Sequence, residues 1–205
     1  MKEQMIIEMT AKLEEVQTAK EAVYTFVDEI EDKLAEGEKD VSALEQDLQA
    51  KQEVLSIITD IGEAKLAKQE IKLIVEEIEL TNSVTEAKVK TMKVELENKI
   101  EEYFKIHKSA HFLFRAVDNY FVLNTSISSL AKDKETIDAF AQSLNGSFRG
   151  VRQVLLDIGI VTIADQNKQY RGTHLGQRDL MSELTNFEYE IRPYVNHLRS
   201  SGIYK

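Results

Sequence analysis

The sequence has no cysteine and a single proline, Pro193. Without cysteine there is no disulfide framework, no thiolate nucleophile and no cysteine-ligated zinc. One proline and eight glycines in 205 residues are few breakers, so long helices are expected. Apolar runs are short. The longest stretch free of charge, Asn119 to Ala131, is thirteen residues and contains polar groups. A membrane-spanning helix needs roughly 20 consecutive apolar residues, so no membrane span is expected. No basic region followed by an apolar run opens the chain, and no signal peptide is read. The expected location is cytoplasmic or virion-associated.

Chemical motifs are missing as well. Neither G-x-x-x-x-G-K-[ST] nor G-x-G-x-x-G occurs, and there is no G-x-S-x-G elbow. His107 and His111 stand four residues apart, a spacing that can place two metal ligands on one helix face. The segment reads His-Lys-Ser-Ala-His, without the glutamate of H-E-x-x-H. No metal site, cofactor or catalytic set is therefore assigned, and the chain reads as non-enzymatic.

What is present is a heptad repeat. With Ile6 as position a, the a positions are Ile6, Leu13, Lys20, Val27, Leu34, Val41, Leu48 and Leu55. The d positions are Met9, Val16, Val23, Ile30, Gly37, Leu44, Lys51 and Ile58. Only Lys20, Gly37 and Lys51 break the apolar pattern. A 3.5-residue repeat held this long keeps one seam facing a partner helix, because an ordinary helix drifts off it. The seam Met9, Leu13, Val16, Val23, Val27, Ile30, Leu34, Val41, Leu44, Leu48, Leu55 and Ile58 is the candidate oligomerisation surface. Two courses fit at Glu36 to Asp40: a helical hairpin turned at Gly37, or one helix running through. Further on, Ser83-Val-Thr-Glu86 has the form of a capping box and marks a new helix after Thr81-Asn82-Ser83.

Charge divides the chain. Residues 1–102 hold 13 basic and 26 acidic side chains, a net of −13; residues 103–205 hold 13 and 10, a net of +3. The expected organisation is an acidic coiled-coil arm over 1–102 and a compact helical domain over 103–205. Tyr103, Phe104, Phe112, Phe114, Tyr120 and Phe121 are read as the start of that domain's core. Residues 127–175 suggest a winged helix-turn-helix: helices at 136–144 and, capped by Ser147, 148–157 about an Asn145-Gly146 turn, then a short hairpin from 158 to 175. In that reading Arg149, Arg152 and Gln153 contact bases or phosphates, and Lys168 and Arg171 form the wing. A last helix is expected over 177–192, ended or kinked by Pro193.

The fold class expected is mainly all-α: long N-terminal coiled-coil helices or a helical hairpin, plus a small helical C-terminal domain with an optional short β-hairpin. The function expected is structural: self-association into a homo-oligomer, or docking of protein partners, through the coiled coil. Bacteriophage or virion assembly is the setting that this layout fits. The alternative is a DNA-binding regulator whose coiled coil dimerises a winged helix. Tyr189, Arg192, Tyr194, Arg199 and Tyr204 are the candidate partner-binding residues, since tyrosine and arginine are the usual interface anchors.

Overall fold

The computed structural model describes residues 1–165 and 168–201. The protein is mainly all-α. The described residues form helices α1 (Lys2–Ile57), α2 (Ile61–Asn124), α3 (Leu130–Asp157) and α4 (Glu183–Ser200). Strands β1 (Gln169–Tyr170) and β2 (Thr173–His174) pair antiparallel in a two-stranded sheet. No helix among the described residues is long and apolar enough to cross a membrane.

The chain folds as two compact units. One comprises Met1–Tyr24 with Lys99–Lys205, the other Thr25–Asn98. The N-terminal part of the acidic stretch therefore belongs with the C-terminal residues.

In the Thr25–Asn98 unit, α1 runs through Gly37 without a turn. Of the two courses open at this glycine, the continuous helix is the one adopted. Gly37 is buried, and a Cβ there would lie 2.6 Å from Oγ1 and 2.7 Å from Cγ2 of Thr85. Its missing side chain lets α1 and α2 approach closely, which offsets the helix-propensity cost of glycine. The reversal comes instead at Ile58–Asp60. Asp60 caps α2, its Oδ1 accepting from the Gly62 and Glu63 amides at 2.8 and 2.9 Å. The returning strand of the hairpin brings Glu70 to Lys51 at 2.7 Å.

The break expected at Thr81-Asn82-Ser83 does not occur, since α2 is continuous from Ile61 to Asn124. Ile74, Val89 and Leu96 are buried on one face that passes straight through this polar triplet. Continuity of that face outweighs the local capping signal, because propensity is a weak prior against tertiary packing.

In the unit of Met1–Tyr24 and Lys99–Lys205, the first part of α1 packs with the end of α2 and with α3, and α4 packs on α3. Lys2 stands over the Phe121 ring at 4.9 Å and pairs with Asp133. Gly150 of α3 gives room to Tyr24, whose hydroxyl would stand 2.5 Å from a Cβ at that position. The core contains Tyr103, Phe114, Phe121, Ile137, Leu144, Leu155 and Leu184, all fully buried. Four of the six aromatics assigned to it, Tyr103, Phe104, Phe114 and Phe121, are buried, whereas Phe112 is exposed.

The helix-turn-helix element is corrected here. Leu130–Asp157 is one helix, and Asn145-Gly146 lies inside it. Leu144, Ser147, Phe148 and Val151 continue one buried face across the dipeptide. Asn145 uses its amide at long range: Nδ2 donates to the Leu180 carbonyl at 2.9 Å and Oδ1 accepts from the Leu180 amide at 2.7 Å. The helix ends at Asp157, and Gly159, just past the C-cap Ile158, has a φ of +73°, the left-handed conformation glycine adopts without strain.

The hairpin is shorter and later than expected. Residues 158–162 are not a strand, and both strands lie within 169–174. Their turn is Arg171-Gly172, with φ of +45° and +79°. Positive φ at both central residues matches the twist of a two-residue hairpin. The stretch expected as a hairpin also includes residues 166 and 167, which lie outside the described residues.

The last helix starts at Glu183 rather than 177, and Pro193 lies within it. Its N-terminus is fixed by Asp118 of α2, which is fully buried. Asp118 accepts from the Ser182 hydroxyl at 2.8 Å and from the Glu183 amide at 2.9 Å. Ser182 Oγ accepts from the Leu184 amide at 3.1 Å. Two otherwise unpaired helix-end amides are thereby satisfied in a buried place.

Candidate functional site

The seam read from the heptads is largely covered within the chain. Met9, Val16, Val23 and Ile30 are buried, as is Gly37. Leu13, Val27, Val41, Leu44, Leu48, Leu55 and Ile58 are partly buried, and Leu34 is exposed. The two lysines of the seam have local partners: Lys51 pairs with Glu70, and Lys20 stands over the Tyr24 ring at 5.2 Å.

A second apolar stripe is left uncovered on α2. Leu66, Leu73 and Leu80 are 62, 63 and 63% exposed, and Val94 is 55% exposed. With Ala87 they recur every seventh residue. Val84 widens the stripe, and with Ala87 and Thr91 it lines an open groove bordered by Lys33. The inner face of α2 is a separate line, in which Ala67, Ile74, Val89 and Leu96 are buried. Thus α2 is apolar on two faces, of which one is used. The sequence reading missed this because the inner stripe alone accounted for the helix. The signal was present as the interval of seven from Leu66 to Val94.

The flanks differ in sign at the first two stripe residues, Leu66 and Leu73, whereas Glu79 and Glu86 precede Leu80 and Ala87. Lys65 and Lys72 each precede a stripe leucine, while Glu70 and Glu77 each follow one by four residues. In heptad terms these are positions g and e, which face each other across parallel helices. Lys72 already holds Glu76 of its own helix at 3.4 Å, with both side chains well exposed, a weak pair in water.

The candidate nucleic-acid readers sit among carboxylates. Arg149 pairs with Asp179, and its Nε donates to Asp179 Oδ1 at 3.2 Å. Gln153 donates to Asp157 at 2.8 Å. Lys168 holds Asp165 at 2.5 Å, and hydrogen bonds from Lys168 and Thr162 pull that carboxyl down to about 2. Arg171 holds Glu101 at 2.8 Å. Arg152 is half-buried on α3. The structure brings Arg149, Arg152 and Gln153 together on one helix, but not on a recognition helix set off by a turn.

On α4, Tyr189 and Tyr194 are exposed, and Arg192 stands over the Tyr189 ring at 5.2 Å while donating to Glu188 at 2.8 Å. Tyr204 and the side chain of Arg199 lie outside the described residues.

His107 is buried, and its Nε2 donates to the Leu144 carbonyl at 3.1 Å. Burial holds its pKa below the ordinary histidine value, as it does for His111. Tyr103 bonds Ser147 at 3.0 Å, and burial pushes its phenol pKa up. These groups tie α2 to α3 inside the core.

Comparison with known proteins finds no matching family model, no matching curated protein and no matching solved structure.

Proposed function

We propose that this is a non-enzymatic assembly protein that self-associates through α2, the uncovered stripe Leu66, Leu73, Leu80, Ala87 and Val94 being the contact surface. The observation that carries the reading is an apolar residue exposed at every seventh position over four heptads, on a helix whose other apolar face is already buried. A heptad spacing keeps one line of side chains facing a partner helix, a narrow line here because the d positions Gln69, Glu76, Ser83 and Lys90 are polar. A second copy of the chain is the occupant, because the flanks of the first two stripe residues are self-complementary. Laid parallel, Lys65 and Lys72 of one copy face Glu70 and Glu77 of the other, Glu70 sharing its carboxylate with Lys51 of its own chain. Contributions from such rim pairs are small, and their role is to set alignment.

A component of bacteriophage or virion construction is the setting proposed, since an acidic helical element joined to a mildly basic helical part suits a protein that assembles and docks. The exposed Tyr189 and Tyr194 of α4 offer a docking surface for such a partner.

Sedimentation equilibrium of the full chain tests the reading. The weight-average mass should rise with concentration in the wild type and stay at the monomer value in a Leu73→Gln, Leu80→Gln variant. A wild type that remains monomeric throughout contradicts it.

A further inference from the structure

A cleft of about 380 Å³ opens between residues 104–115 of α2 and the loop that follows β2. Its α2 wall presents Lys108, His111 and Arg115; β2 contributes His174 and the loop after it Arg178. Asp179 is the carboxylate that lines it, and Arg149 engages that charge. Arg115 is held in place by the Met181 carbonyl at 3.4 Å and by Glu183 at 3.7 Å. Among the described residues, neither Lys108 nor Arg178 has a carboxylate partner.

The balance of charge here runs against that of the chain as a whole, which carries a net of −10. Lys108 and Arg178 stand on opposite walls, with Arg115 beside Lys108 on the α2 wall, so an anion in the cleft meets cations from both sides. Arginine presents a planar fork that matches phosphate oxygens, and lysine supplies a point charge to the same group. His111 and His174 add N–H donors. The volume exceeds what a bare phosphate fills and falls within the range of small-molecule sites. Phe104 and Phe112 supply the apolar lining for the remainder.

We propose that this cleft binds a phosphomonoester of a small organic compound, with Arg178 and Lys108 on the phosphate and Phe112 against the organic body. The assignment is independent of self-association through α2.

Isothermal titration calorimetry of the full chain in a phosphate-free buffer tests it, with phenyl phosphate and inorganic phosphate as probes and succinate as a control dianion. Phenyl phosphate should bind one per chain, more tightly than inorganic phosphate, and succinate more weakly than both. Arg178→Gln and Lys108→Gln should each weaken phenyl phosphate at least tenfold. Both side chains are exposed, so the fold should persist, which far-ultraviolet circular dichroism checks. Lys132→Gln, on α3, exposed and outside the cleft, should leave the affinity unchanged. No saturable binding of either phosphate, or unchanged affinity in both cleft variants, overturns the proposal. Succinate binding as tightly as phenyl phosphate overturns the phosphate assignment. Equal affinity for the two phosphates overturns the role given to Phe112.

Discussion

Individual residues in this protein are set by what they meet at long range. Gly37 is the clearest case. A methyl group there would collide with Thr85 Oγ1 and Cγ2. Gly37→Ala gains helix propensity worth up to about 1 kcal/mol, yet overpacking costs typically about 1–3 kcal/mol. The contact distances decide for the clash, so the variant should be less stable in urea. Thr85→Ala removes the two closest atoms and leaves one contact at 3.2 Å. Adding it to Gly37→Ala should recover part of the loss. If Gly37→Ala is more stable than wild type, the close approach is absent. Asp118 is a second case. Asp118→Ala leaves the Ser182 hydroxyl and the Glu183 amide without their acceptor. Losing a buried acceptor typically costs about 1–3 kcal/mol. The urea midpoint should fall, and amide exchange at Glu183 should speed up relative to the middle of α3. An unchanged midpoint would contradict the capping role.

At the scale of elements, continuity follows the buried face rather than the local signal. Polar triplet, capping box and Asn-Gly dipeptide were all legible as stops, and the helices run through each of them. Nothing near Asn145 in sequence announces that its amide will serve Leu180, 35 residues away. The same holds for Asp118 and the start of α4. What was legible is the set of residues that share a face: the seam positions of α1, and most of the aromatics after Tyr103. The heptad reading did not specify which helix would cover the seam, because the returning half of α2 presents the same spacing.

The contact of α2 with α3 at His107 has a pH consequence. Burial lowers the His107 pKa in the folded state below its ordinary value near 6.5, with His111 adding in the same sense. The unfolded chain then binds more protons than the folded one below that value, so stability falls as pH drops through about 6.5 toward the folded pKa. Each unit of depression is worth about 1.4 kcal/mol. Urea unfolding of the wild type should lose stability from pH 7.5 to 5.5. His107→Gln, which retains an N–H donor for the Leu144 carbonyl, should lose less over the same interval. An equal loss in both would remove His107 as the cause.

For the whole molecule, the two units draw on α1 and α2 in different ways. Met1–Tyr24 completes a core with the C-terminal residues, so truncation of the first 24 residues should expose Phe114 and Phe121 and abolish cooperative unfolding of that unit. The Thr25–Asn98 unit leaves the stripe of α2 exposed. The central claim is that the heptads of α1 close within the chain and that those of α2 join copies. Its most direct measurement is sedimentation equilibrium on three proteins: wild type, the Leu73→Gln, Leu80→Gln variant, and a Val16→Gln variant in the α1 seam. The account predicts concentration-dependent self-association of the wild type, loss of association with retained helicity in the α2 variant, and loss of folding stability in the Val16 variant. An α2 variant that associates as the wild type does, or a Val16 variant that folds normally but no longer associates, would contradict it.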